Sequence, residues 1–293
     1  MTLLQRKIDV EFRLGTGAFG ETGFNTVKVS GLRVQANVMN ASGAALGQLQ
    51  MRIYGLPPTV LNELAQLNQA NQAIRKNTII VTAGDDVNGM ATVFMGLITL
   101  AQLDLTQTPD SSLTVVAIAG LFGAMQSATP SSYPGPTDAA IIMADLATKM
   151  GLNFEGANGV SVILASPYFP GSWKEQADRC ARAANIGWII DETSNTLAIW
   201  PRDGYRGGPI PLISPDTGLV GYPSYSSGQF QGLAVTTIFN PLVRIAGRVQ
   251  IESVLKVANG KWAVFDIVHA LESETPGGKW FTQFTASPFI DGH

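Results

Sequence analysis

Val243, Ile245, Val249 and Ile251 stand two or four residues apart near the end of the chain, with Arg244, Arg248 and Gln250 between them. An extended backbone turns successive side chains to opposite faces, so this spacing gives a strand one apolar and one polar face. Ile8, Val10, Phe12 and Leu14 repeat the pattern at the other end, and Leu49-Gln50-Met51-Arg52-Ile53 repeats it between. Gly247 interrupts the last row, as a bulge or a close backbone approach would. A chain carrying several such segments must bury one side of each, and that requirement points to a β-sheet wall.

Further strands are expected near Asn25 to Val29, Leu32 to Met39, Thr78 to Thr82, Ala91 to Thr99 and Leu113 to Ala119. One helical stripe intervenes, Leu61, Leu64, Ala65 and Leu67, within Thr59 to Ala70. The pattern changes after Ala128, where Thr129-Pro130-Ser131-Ser132-Tyr133-Pro134-Gly135-Pro136 is turn chemistry. Thr137 is placed to cap a helix striped by Ala139, Ile142, Leu146 and Met150, with Gly151 ending it. After a strand at Val160 to Leu164, Ser172 opens a second helix, striped by Trp173, Ala177, Cys180, Ala181 and Ala184 and stopping near Gly187. Trp188 to Ile190 and Leu197 to Trp200 read as a hairpin around Glu192 to Asn195. Pro201 to Gln231, rich in Gly, Pro, Ser and Tyr, reads as a long connection. Strands then close the chain at Lys261 to Leu271 and Lys279 to Thr285.

The order predicts a mainly β protein with an α+β insertion: β residues 1–128, a small α/β unit over 129–205, and β again over 206–293. The two β parts share an echo, Ala83-Gly84 before a long strand and a turn, and Ala246-Gly247 before another.

Charged residues make up 14% of the 293, against about 25% in typical soluble domains, as expected of a surface largely covered by other subunits. A formal charge of -3 argues against a protein built to grip nucleic acid. The single cysteine, Cys180, excludes a disulfide framework, and its place on a helix stripe marks it as core. Met1 to Asp9 holds Arg6, Lys7 and Asp9 and no long apolar run, so no signal peptide is expected there and folding in a cytoplasm is. No run of about twenty apolar residues predicts a membrane span.

Candidate chemistry is thin. Gly15-Thr16-Gly17-Ala18-Phe19-Gly20 matches the dinucleotide fingerprint, but Glu21 to Val29 continues as β where a helix should open, so a hairpin loop is expected. Asp85-Asp86 lacks a further series of oxygen ligands for a cation. Glu155 and Asp191 are available as a carboxylate pair for glycoside hydrolysis. His269, within a strand pattern, and His293, at the end, have no nucleophile elbow to serve. Tyr205, Tyr222, Tyr225 and Phe230 punctuate the long connection and read as anchors for a loop or subunit contact, with stacking on bases or sugars as the other use. No catalytic group, cofactor or metal is expected.

The chain resembles the baseplate hub proteins of contractile-tailed bacteriophages, the family of the late-control protein D type and of spike hubs. Ile79-Ile80-Val81-Thr82-Ala83-Gly84, Val93-Phe94-Met95-Gly96-Leu97-Ile98 and Pro109-Asp110-Ser111-Ser112-Leu113 resemble its first tube-like domain. Phe239-Asn240-Pro241 with Gly247, and Pro276-Gly277-Gly278-Lys279-Trp280, resemble its second. The resemblance implies two tube-like β-barrel domains per chain and a homotrimeric ring with six-fold-like symmetry. It further implies a tail tube on one face, a central spike on the other, wedge and tape-measure proteins nearby, and DNA passing without specific binding. On that reading the protein sits in the virion after assembly in the host cytoplasm, has no membrane anchor, and carries no lysozyme or spike region. Asn240 and Pro241 are expected to set the entry of the strand at 239–251, Arg244 and Arg248 to face the channel or a neighbouring chain, and Tyr222 and Tyr225 to lie at a subunit contact. The competing reading is a carbohydrate- or peptidoglycan-binding module using Trp173, Trp188 or Trp200; a carboxylate-pair hydrolase is the third.

Overall fold

The computed structural model describes residues 5–20, 23–41, 46–65, 76–106, 111–120, 128–156, 158–191, 193–226 and 232–288. The first part contains β1 (Lys7–Arg13), β2 (Thr26–Val29), β3 (Val34–Ala41), β4 (Gln48–Tyr54), α1 (Pro58–Leu64), β5 (Thr78–Asp85), β6 (Gly89–Asp104) and β7 (Ser112–Ile118). The middle part contains β8 (Ser131–Ser132), β9 (Pro136–Asp138), α2 (Ala139–Lys149), β10 (Asn153–Phe154), β11 (Ile163–Ala165), β12 (Tyr168–Phe169), α3 (Trp173–Ala184), β13 (Ile186–Asp191) and β14 (Thr196–Pro201). The last part contains β15 (Leu212–Ile213), β16 (Ser224–Ser226), β17 (Gly232–Ile238), β18 (Arg248–Ile251), β19 (Gly260–Ser273) and β20 (Trp280–Pro288). The architecture is mainly β with a small helical insertion, as the alternation required. The predicted helix beyond Ala65, the Pro109-Asp110 turn, Glu192, Phe230 and His293 lie outside the described residues.

Thirteen strands form one sheet, in the order β16-β17-β20-β19-β3-β4-β7-β6-β5-β1-β2, with β18 beside β19 and β15 parallel to β18. Two stretches of this order have the same topology. In chain order, β3 to β7 are arranged first-second-fifth-fourth-third, and so are β16 to β20. Both long strands carry a register shift against the fifth strand, between Ile98 and Leu100 in β6 and between Val264 and Asp266 in β19. With those shifts aligned, Thr78 opposite Leu97 corresponds to Arg248 opposite Ala263. Ile98 N–H donates to Asn77 O at 2.8 Å, and Val264 N–H donates to Gly247 O at 3.0 Å, at matching positions. The residue before each acceptor is left-handed, Lys76 at φ 55° and Ala246 at φ 59°. The repeat is therefore structural, but its register differs from the expected one. Ala246-Gly247 corresponds to Lys76-Asn77 rather than to Ala83-Gly84, because bulges and not glycine spacing fix strand register.

The two copies are joined through the sheet itself. Asp266 to Ser273 of β19 pair antiparallel with Ala41 to Val34 of β3, His269 falling opposite Val38. Alternate residues then fill two cores. Phe12, Ile53, Ile79, Phe94 and Leu113 pack with Val60 and Leu64 of α1 and with Leu271 and Trp280 from the second copy. Val235, Val249, Ile251, Val264 and Phe284 form the other. Full burial of side chains of this size contributes about 1.5–3 kcal/mol each. Gly96 is required by close approach: a Cβ there would lie 2.7 Å from Ile118 O and from the Phe94 ring.

The middle part has its own core, with Ile142, Leu146, Ala177, Cys180, Leu197 and Ile199 buried between α2, α3 and the β10-β14-β13 sheet. Two expected helix ends differ. Asp138 caps α2 by accepting the Ala140 N–H at 2.9 Å, while Thr137 is held in β9; a carboxylate is the stronger acceptor at a helix start. Asn185, left-handed at φ 53°, ends α3, and Gly187 belongs to β13, where the Trp200 indole lies over the space a Cβ would take. Gly151 is left-handed at φ 72° after α2, and Ser172 with Glu175 forms a capping box on α3, both as expected.

Candidate functional site

The segment Tyr205 to Gly208 leaves the insertion and runs against the loop 239–247 that precedes β18. Arg206 is fixed there by its backbone, its N–H donating to Ala246 O at 2.8 Å. Its side chain is 1% exposed and reaches into the insertion. Nε donates to both Glu155 oxygens at 2.8 Å, Nη1 donates to Asp191 Oδ2 at 2.7 Å, and Nη2 also meets Glu155. Glu155 follows β10 and Asp191 ends β13, so one guanidinium ties two insertion elements to the second β part. Arg244 completes the seam: its Nη2 donates to Gly207 O at 2.7 Å and its Nη1 lies 3.6 Å from Glu155. Two guanidiniums and two carboxylates leave the group formally neutral.

The sequence expectation did bring Glu155 and Asp191 together, but not as an acid–base pair. Burial on its own would raise the Asp191 pKa; the Arg206 charge and hydrogen bonds from Thr193, Arg206 and Ser194 outweigh it and hold the carboxyl below its usual range. For Arg206 burial is likewise overcome, by Glu155 and Asp191, and its pKa is raised. Arg244, desolvated beside the like charge of Arg206, is lowered. A general acid for glycosidic cleavage needs a raised carboxyl pKa, and Asp191 is moved the other way. Removing one partner from a buried arrangement of this kind typically costs 3–5 kcal/mol. Sequence reasoning missed Arg206, because nothing in Tyr205-Arg206-Gly207-Gly208 marks it as the partner of Glu155 and Asp191.

Arg244 and Arg248, expected to face the channel or a neighbouring chain, each also have a partner within the chain. Arg248 lies over the Tyr205 ring with its guanidinium carbon 3.5 Å from the centroid. Gly208, at φ +112°, has no Cβ where Arg244 Nη2 passes. Asn240 Oδ1 accepts the Leu242 N–H at 3.0 Å, so Asn240 and Pro241 form the turn that leads into this loop. The strand expected over 239–251 begins only at Arg248, although Val243 and Ile245 are buried as the alternation required. Tyr222 and Tyr225 point away from the cores, 68% and 71% exposed.

A cavity of about 280 Å³ lies where the three parts meet, lined by Phe94, Trp188, Asp191, Arg206, Arg244 and His269 among others. His269 is buried, its Nδ1 3.0 Å from the Thr282 hydroxyl and its ring edge-on to Phe239 at 5.5 Å. Lys149 lies over Trp173, Lys174 lies over Trp188, and the Trp200 indole covers Gly187. The glycine-rich Gly15 to Gly20 stretch is the loop of the β1–β2 hairpin, with Phe19 tucked into the core. Asp85 accepts the Val87 and Asn88 N–H groups in its turn, and Asp86 pairs with Lys7. Cys180 is buried and its thiol is pushed up to about 12 by burial. Among the described residues, no group of three or more His, Cys, Asp or Glu side chains is placed to hold a metal ion. No helix among them is long and apolar enough to cross a membrane.

A family model described as baseplate hub gp41 matches residues 8–282. In structure, the chain is similar to a tail protein from Neisseria meningitidis MC58, with TM-score 0.61 and 8% identity over 96% of each chain. It is similar also to the 43 kDa tail protein of prophage MuSo2 from Shewanella oneidensis, with TM-score 0.55 and 10% identity over 95% of this chain and 98% of that one. The E. coli c3393 protein, a type VI secretion component described as structurally similar to T4 tail proteins gp27 and gp5, matches with TM-score 0.54 and 10% identity over 89% and 74% of the two chains. At these identities the likeness is one of fold. No curated protein matches the chain significantly in sequence.

Proposed function

The chain belongs to the baseplate hub gp41 family and so to the virion tail, and from that premise we propose that it is the ring-forming hub between the tail tube and the central spike. The family match over residues 8–282 carries this reading, and the internal five-strand repeat supports its geometry. Three chains, each supplying two similar β units over 1–128 and 206–293, make a ring of six quasi-equivalent units. Such a ring presents six-fold character to a hexameric tube and three-fold character to a trimeric spike. The insertion, 129–205, is tied to the second β part by the Arg206 seam, and wedge proteins are among the partners this reading gives it. Tyr222, Tyr225, Asn240 and Pro241 belong to the contacts between chains or with the spike, whereas Arg244 and Arg248 act by shaping the loop beside them.

The channel wall in this reading is the face of β3, β4, β7, β19 and β20 turned away from the cores. Gln35, Asn37, Gln50, Thr114, Glu272 and Gln283 line a groove along it. Arg52, on the same face, lies 3.8 Å from Asp104. Amides and hydroxyls dominate that groove, and its two cations, Arg52 and Lys279, are matched in number by Glu272 and the neighbouring Asp104, which gives passing DNA no cluster of cations to bind. The role is structural, and tube, spike and tape-measure proteins are its partners.

Averaged electron micrographs and mass photometry of the purified chain, alone and with the spike, test the proposal. A ring with a central hole and three times the 31.1 kDa chain mass is expected. A stable monomer that sediments with peptidoglycan would overturn it.

A further inference from the structure

The junction between the two repeats inside one chain specifies a second junction that a single chain leaves unmade. Inside the chain, β3, the first strand of repeat one, adds to the side of β19 that lies beyond β18, over Asp266 to Ser273. The counterpart of β19 is β6, and the corresponding stretch of β6 follows its bulge at Thr99. Between Leu100 and Asp104, β6 pairs with β7 on one side; on the other, no strand among the described residues continues past β5. The counterpart of β3 is β16, which pairs with β17 and ends the sheet. Among the described residues, one chain therefore carries an unpaired acceptor edge on repeat one and an unpaired donor strand edge on repeat two. Neither edge can be satisfied by the other half of its own junction, which is already occupied by β3 and β19.

We propose that β16 of one chain adds antiparallel to the free edge of β6 in the next, pairing Gln102 with Ser226, Leu103 with Tyr225 and Asp104 with Ser224. The register follows from the intrachain junction. Asn37 opposite Gln50 corresponds to Ser224 opposite Ala234, and Asp266 opposite Thr285 corresponds to Leu100 opposite Val116. Val38 opposite His269 then maps onto Tyr225 opposite Leu103. The intrachain pair is buried, whereas Leu103 is half-buried and Tyr225 is 71% exposed. The exposed tyrosine thus occupies a position that is core in the completed copy of the same junction. Ser224-Tyr225-Ser226 carries no charge and no proline, the usual devices that keep an edge strand from pairing. Because donor and acceptor are different surfaces, the contact is head-to-tail and generates a ring when it closes. This pairing rests on the ring reading above and names the surfaces that make the ring.

Cysteine cross-linking tests it. Adjacent cross-strand pairs alternate between hydrogen-bonded and closer non-hydrogen-bonded geometry, so two neighbouring pairs are examined, L103C with Y225C and Q102C with S226C. The control is L103C with S224C, one residue off register and therefore on opposite faces. Buried Cys180 stays in place. Mixed single-cysteine chains treated with diamide should give a covalent dimer for at least one in-register pair and none for the control. The double-cysteine chain should then migrate as a covalent trimer under denaturing, non-reducing conditions. If rings form by mass and micrograph while neither in-register pair cross-links, the pairing is wrong and the ring reading survives. A chain that stays monomeric at every concentration sinks both.

Discussion

His269 holds a titratable ring out of bulk solvent, and burial lowers its pKa to about 4 from 6.5. The folded state therefore takes up its proton later than the unfolded chain does. Stability is full above pH 6.5 and is lost as the pH falls toward 4, because in that window the unfolded chain binds more protons. The loss should reach about 3 kcal/mol. Denaturant unfolding of wild type and H269N at pH 7 and pH 4.5 checks it: the wild-type midpoint should drop further than that of the variant. Equal drops would place the acid sensitivity elsewhere, with Asp191 the next candidate, whose lowered pKa adds its own loss at still lower pH. At this scale the sequence was partly readable. Cys180 and His269 stood on apolar patterns and are core. Arg206 was invisible to periodicity, since its meaning lies in Glu155 and Asp191, 51 and 15 residues away.

The bulges are the elements that set register, and one of them contains a strained residue. Ala246 N–H donates to Val264 O and Val264 N–H to Gly247 O, two residues facing one, with Ala246 left-handed. A left-handed conformation costs an L-residue about 1–2 kcal/mol and glycine nothing comparable. A246G should therefore raise stability by about 1 kcal/mol, and A246V should lower it. Urea midpoints at constant m-value decide the matter; no change in either variant would mean the loop relaxes freely. Strand and helix existence was legible from period and punctuation: β1, β4, β19 and β20 lie where alternation put them, and the capping box on α3 was readable from Ser172. What was not legible was placement within an element. Asp138 displaced Thr137, Asn185 displaced Gly187, and the strand at 239–251 shortened to β18, because neighbouring strands decided where hydrogen bonds began.

For the whole molecule, the amide-rich groove is the wall that DNA would pass in the proposed ring. Gln35, Gln50 and Gln283 line it, and each could be a lysine without entering a core. The triple variant Q35K/Q50K/Q283K should retain duplex DNA at low salt, with retention falling as salt rises, while wild-type rings should show none. Electrophoretic mobility at two salt concentrations reads this directly, and equal retention by both would place these residues away from the lumen. The mainly β plan with its insertion was legible from the order of patterns. The five-strand repeat was not, since its two copies agree in hydrogen bonding and bulges but carry different side chains at nearly every matching position.

In the proposed ring, the seam between β3 and β19 would also bear load. In a hoop built by adding strand to strand, tension around the circumference pulls across the ladders, so every hydrogen bond of a seam is strained side by side. The seam inside a chain has eight residue pairs. The proposed seam between chains has three, those of the short strand β16. Pressure from within, or a tug from the spike, would therefore open the hoop at chain boundaries and leave each chain whole, so that failure yields intact subunits and not torn ones.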